Sequence, residues 1–454
     1  HYLDSGRERP MATGGVERRR PATFSRFADA SSHRTPVGFS GDTIISWDSL
    51  RFQPRFTATA ANIGYFWWSN DIGGHMLGHS DDAMAARWFQ LGCFSPINRL
   101  HSSNSGFTSK EPWRYSRDAR ATMEAHLRLR HRLVPYLYTW ARRSVSEGVG
   151  PVRPIYHDHP WEMAAYEHRG SFCFGDLLVV PFTSPLDEAT GLGRELTWLP
   201  DGIWYDLPTG RRYDAITGGH GRMLSLSRPL DRIGVLARAG SVIPLAGSLA
   251  EAAGDNPREL EIVVVPGGSG SFTLEEDDGS AQPGPNRVAR THMALTWPDT
   301  ENEDGGDAVL RIRLEGAADV VPDSRMVTVR LLAGRATGAW LGVGDQARRL
   351  IVEEVDGDGF TLGAGTLVRL GELSRQDLVD GVQLVLRGAT QSPADWRREV
   401  HEILDAARVE YLAKDLAWGA LQRGLPGTAL LGELESLGLP ETLRAAVAEV
   451  LPHS

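Results

Sequence analysis

Gly64-Tyr65-Phe66-Trp67-Trp68-Ser69-Asn70-Asp71 decides the fold: it is a short apolar run that stops on a carboxylate. Three more runs in the first hundred or so residues have the same form. Thr23-Phe24-Ser25 stops on Arg26, and Val37-Gly38-Phe39-Ser40-Gly41 stops on Asp42. Cys93-Phe94-Ser95-Pro96-Ile97 leads into Asn98-Arg99-Leu100-His101. Buried strands that end on polar side chains are the pattern of a (β/α) barrel, whose chemistry sits at the C-terminal strand ends.

Outward from these runs the texture supports parallel βα units. Met84, Trp88, Phe89 and Leu91 fall at helical spacing before the fourth run, and Arg117 to Ser146 reads as a longer helix kinked at Pro135. Trp67 and Trp68 alternate faces on a strand, so one at most faces a ligand. Residues 1–20 are polar and Arg-rich and read as a solvated loop. Beyond 150, short β-rich runs alternate with Gly, Pro and Asp turns, which predicts β-sandwiches, with the best break near Ala252-Ala253-Gly254. From Ser392 the chain reads as helical, with a stripe of Val400, Ile403, Leu404, Ala407 and Tyr411.

At 454 residues the chain is too long for one core. A net charge of −10 gives no support for nucleic acid or an anionic membrane as partner. Cys93 and Cys173, the only cysteines, lie in apolar runs and read as buried thiols. No apolar stretch has transmembrane length and no signal peptide is legible, so a cytoplasmic location is expected. No His, Asp and Cys spacing fits a metal, and neither a metal nor a cofactor is expected.

Further motifs carry a resemblance. F-S-G-D-T (39–43), D-I-G-G-H (71–75), R-W-F-Q-L-G-C-F-S-P-I-N-R-L-H (87–101) and K-E-P-W (110–113) resemble glycoside hydrolase family 31. V-P-Y-L-Y-T (134–139), W-Y-D-L-P-T-G (204–210), R-A-G-S-V-I-P-L (238–245) and F-T-L-E-E-D-D-G (272–279) extend it in order. The resemblance implies a fold of α/β plus all-β type. Residues 1–150 would be the C-terminal half of a (β/α)8 TIM barrel, followed by a proximal sandwich over 151–250, a distal sandwich over 251–390 and a helical tail over 391–454.

It also implies a retaining α-glucosidase-like or α-xylosidase-like hydrolase, which needs two carboxyl groups roughly 5 Å apart. Asp42 matches the general acid/base, although Ser40-Gly41-Asp42-Thr43 is also good turn chemistry. Arg26, Asp71 and His101 match sugar-binding positions, and Trp68 is taken as the stacking tryptophan. Glu111 and Trp113 are expected to brace a loop, and Asp277-Asp278-Gly279 to form a turn. The strand that carries the attacking Asp in the family is not legible; Asp4 follows His1-Tyr2-Leu3, which resembles the connection after that strand. The expectation is therefore a chain lacking its nucleophile, inactive alone, with the N-terminal half of the barrel or an oligomer as partner. Its substrate would be an oligosaccharide or aryl α-glycoside. The alternative is a non-catalytic carbohydrate-binding or scaffolding protein with a degenerate barrel remnant.

Overall fold

The computed structural model describes residues 8–10, 16–18, 23–26, 29, 31–34 and 37–451, less 252–253, 281–283, 300–304, 343, 345–346, 393–394 and 426. Asp4 and the Ala252-Ala253 break lie outside the described residues. Part of the expected N-terminal loop is not a loop: Glu8–Pro10 pairs antiparallel with Val16–Arg18. Local pairing satisfies backbone groups that a loop leaves to water.

Three of the opening runs form parallel strands: Phe24–Ser25, Val37–Phe39 and Trp67–Ser69. A parallel bridge from Ile72 to Leu100 carries the array to the fourth run. Helix Trp47–Thr59 follows the second strand. It starts on Ser46, whose side chain accepts from the Ser49 amide, and buries Leu50, Gln53, Pro54, Thr57 and Ala58 as one stripe. Helix Asp82–Cys93 follows the third strand and is buried almost all round. Its cap, Asp81, also accepts 2.9 Å from Trp47 Nε1, which ties the two units together. The expected long helix divides at Leu133 into Arg117–Arg132 and Val134–Ser146, with Pro135 in the first turn of the second part.

Strand register settles the tryptophans. Gly38 lies opposite Trp68, and Phe39 opposite Ser69. Trp68 is 4% exposed, with its ring edge-on to Phe56 of the helix Trp47–Thr59 at 4.9 Å and to Tyr65 at 5.6 Å. The assignment of Trp68 as a stacking platform is therefore wrong: it fills the layer between strand and helix. Trp67 lies on the opposite face of the strand.

Beyond 150, six strands between Val152 and Arg238 form one sheet, and Gly193–Leu199 pairs with Arg222–Arg228. Leu178, Val180, Trp198, Leu226 and Leu236 from these two sheets share a core. The next strand, Val242–Ala246, pairs instead with Glu259–Val264 in a five-stranded sheet that belongs with a seven-stranded one. The chain therefore changes module at Gly240-Ser241, ahead of the break expected at 250. Asp277 does make the expected turn, accepting from the Gly279 amide, and Arg142 of the helix Val134–Ser146 binds it at 3.0 Å. The barrel segment is thereby tied to the distal sheets.

The tail is four helices, Trp396–Ala406, Tyr411–Gln422, Gly427–Ser436 and Glu441–Val450, around Val400, Leu404, Leu421, Leu434 and Val447. Tyr411 does not continue the first stripe. That helix ends at Ala406, and Tyr411 starts the next one 83% exposed. Cys93 and Cys173 are free, and burial pushes both thiols up to about 12. Among the described residues, no helix is long and apolar enough to cross a membrane.

Candidate active site

The polar residues that end the parallel strands meet at one end of the sheet. Asp71 follows the strand Trp67–Ser69 and is 0% exposed. Its Oδ1 accepts from Arg99 Nη2, while Arg99 Nε donates to Ser69 Oγ at 3.1 Å. The Arg99 guanidinium also lies 5.1 Å from the Phe24 ring centroid and 4.9 Å from that of Phe39. A cation held between two rings and a carboxylate is fixed in position.

His75 Nδ1 stands 3.8 Å from Asp71 Oδ2, and the His75 ring stacks on His101 with centroids 4.9 Å apart. Lys110 is buried nearby; a Cβ on Gly73 would come within 2.9 Å of its stem. Burial pushes the Asp71 carboxyl above its ordinary value, and Arg99, His101 and His75 oppose that without cancelling it. Burial lowers the Lys110 ammonium, and Asp71 opposes this. The result is a desolvated carboxylate ringed by donors, suited to grip a hydroxyl-rich ligand.

Asp42 lies just beyond the strand Val37–Phe39, in a loop, and is exposed. Gly41 before it has φ 87°. A Cβ there would lie 3.3 Å from Arg26 Nη2, so Arg26 lays its guanidinium over the backbone next to Asp42. The following residue bolts this loop to the Asp71 loop. Thr43 carbonyl accepts from His75 N at 2.8 Å and from Met76 N at 3.2 Å, and Ser40 N donates to Ser69 carbonyl at 2.9 Å. The exposed Asp42 carboxyl and the buried Asp71 carboxylate thus sit on loops joined by backbone hydrogen bonds.

Of the residues expected in the site, the structure brings Asp71 and His101 together, sets Arg26 beside the Asp42 loop, and removes Trp68. Sequence reasoning missed His75, Arg99 and Lys110 as members of the cluster. All three lie inside the motifs quoted above, but only the fold shows that they converge on Asp71. Glu111 accepts from Ser109 Oγ within its own loop, and Trp113 is exposed.

Sequence comparison identifies the family. A model of the glycosyl hydrolases family 31 TIM-barrel domain matches residues 6–140, and one of the family 31 C-terminal domain matches residues 148–243. The chain belongs to glycosyl hydrolase family 31. It is 31% identical over 261 residues to an alpha-xylosidase of Saccharolobus solfataricus, covering 57% of this chain and 34% of that protein. It is 29% identical over 276 residues to the lysosomal alpha-glucosidase of Bos taurus, covering 58% and 29%. The chain thus spans about a third of the length of the curated relatives it matches.

A Flavobacterium johnsoniae family 31 dextranase, solved with isomaltotriose, superposes with a TM-score of 0.67 at 20% identity, over 81% of this chain and 46% of that one. At that identity it speaks for the fold. A family 31 alpha-xylosidase from Xanthomonas citri reaches a TM-score of 0.53 at 26% identity, over 65% and 32%.

Proposed function

We propose that this family 31 chain supplies the acid/base and sugar-binding side of a retaining α-glycosidase site, acting on α-linked glucosides or xylosides. The observation that carries the reading is the bolted pair of loops, one presenting the exposed Asp42 and the other enclosing Asp71 among Arg99, His75, His101 and Lys110. Asp42 protonates the leaving oxygen and then deprotonates water, while Arg26 lies beside it to bind hydroxyls. Asp71, Arg99 and His101 hold the sugar whose anomeric carbon reacts.

Asp71 is not the attacking group. Arg99 clamps one of its oxygens, and that ion pair lowers the nucleophilicity attack requires. The reading assigns attack to a carboxylate from a further barrel segment, of the kind the family carries upstream of the residues matched here. The chain joined in frame to the preceding barrel segments of a full-length relative is expected to turn over an aryl α-glucoside, with Asp42→Asn abolishing most of that turnover. Equal turnover by the chain alone and by the joined protein would refute the division of labour.

A further inference from the structure

Asp71 commits only one of its two oxygens. Arg99 takes Oδ1, whereas Oδ2 has no hydrogen-bond partner among the described residues, although the side chain is wholly buried. His75 Nδ1, 3.8 Å away, is equally without a hydrogen-bond partner among the described residues. That gap is too long for a hydrogen bond, and an open buried polar atom is destabilising. It does suit one oxygen bridging both atoms. A hydroxyl roughly 2.8 Å from each would see them at about a right angle, donating to the carboxylate and accepting from the imidazole N–H.

The backbone aims His75 at this position. Gly73 and Gly74, at φ 89° and 78°, turn the chain back after Asp71, and a Cβ on Gly74 would come within 2.9 Å of the Ile45 Cα. His75 N donates to Thr43 carbonyl at 2.8 Å, and its own carbonyl accepts from Ser103 N at 2.9 Å. One ring face is covered by His101. The ring is therefore held by backbone and stacking, while its buried Nδ1 has no hydrogen-bond partner among the described residues.

We propose that His75 is a specificity-determining residue: its Nδ1–H and the free oxygen of Asp71 together bind one hydroxyl of the sugar. The inference rests on the cluster being a sugar site, and its test separates the two. D-glucose and its monodeoxy analogues are titrated calorimetrically into the full chain as wild type, His75→Phe, His75→Gln and Asp71→Asn. One deoxy analogue is expected to bind wild type about tenfold more weakly than glucose.

His75→Phe keeps the stack on His101 and loses the N–H. In it, the penalty for that one analogue should shrink at least threefold while the other penalties stay as they were. His75→Gln, whose amide can donate, should restore part of it. Unchanged deoxy penalties in His75→Phe overturn the proposal, even if glucose affinity falls overall, because a packing role would weaken every analogue alike. Asp71→Asn binding glucose as tightly as wild type overturns the site reading itself. So does a wild-type chain that binds neither glucose nor D-xylose.

Discussion

The tail helix Glu441–Val450 docks on the proximal sheets through one buried carboxylate, and neutralising it should loosen the tail. Glu449 Oε1 accepts from Arg211 Nη1 at 2.7 Å, Arg228 Nη1 at 2.6 Å and Tyr213 Oη at 2.6 Å, while Oε2 accepts from Ser227 N at 2.6 Å. In Glu449→Gln the amide oxygen can keep the first three partners, but the NH2 then faces the Ser227 N–H. Losing charge assistance costs about 1 kcal/mol per bond, and the stranded amide about 1 kcal/mol more. Arg228 keeps Asp206 and Arg211 keeps Glu399, which caps the loss near 3–4 kcal/mol, inside the range for breaking buried pairs.

Amide hydrogen exchange reads that opening directly. Amides of the helix Glu441–Val450 should exchange about two to three orders of magnitude faster in the variant, since each tenfold is ~1.4 kcal/mol. Glu441→Gln is the control. Its carboxylate is 79% exposed and lies 3.6 Å from Arg194, a pair worth at most about 1 kcal/mol. Exchange in Glu449→Gln within threefold of wild type would refute the argument that this network holds the tail.

Three further outcomes are expected. Burial pushes the Glu449 carboxyl up, but Arg228, Arg211 and Tyr213 outweigh it and leave it below its ordinary value. Tail docking should therefore be fully present above the unfolded glutamate value of ~4.3 and fade as pH falls through the lower folded one, which exchange at stepped pH would follow. Gly38→Ala should lower stability by ~1–3 kcal/mol in thermal or urea unfolding, because the new Cβ would fall 2.6 Å from the Trp68 ring and 2.7 Å from the Tyr65 ring. Arg99→Met removes the donor on Asp71 and the cation between Phe24 and Phe39, so glucose affinity should fall at least tenfold in calorimetry.

The strand-end pattern was legible in the sequence because each run stops on or leads into a polar residue, and position along a strand needs no partner to be read. Facing was not. Trp67 and Trp68 exchange sides with a one-residue change of phase, and only the pairing of Gly38 with Trp68 fixes it. Gly38 is the local clue, since an unsubstituted position opposite a tryptophan leaves room for the ring.

Arg99, His75 and Lys110 went unread for another reason. A lone cation or imidazole has no sequence mark of its carboxylate, and Arg99 is 28 residues from Asp71. The tail misled in a third way. The 400–411 stripe has helical spacing throughout, and no Gly or Pro announces the end at Ala406. What docks it is equally silent, since Glu449 meets Arg211 across 238 residues.

Asp42 is the centre of the functional account, and its role as general acid has a direct signature. In the protein joined to a relative's preceding barrel segments, Asp42→Asn is assayed on two aryl α-glucosides, one with a phenol that needs a proton to leave and one with dinitrophenol, which does not. The account predicts a loss of about 10²–10⁴ on the first substrate and a much smaller loss of glycosylation rate on the second. Equal losses on both would contradict proton donation by Asp42 and reduce it to a residue of the loop.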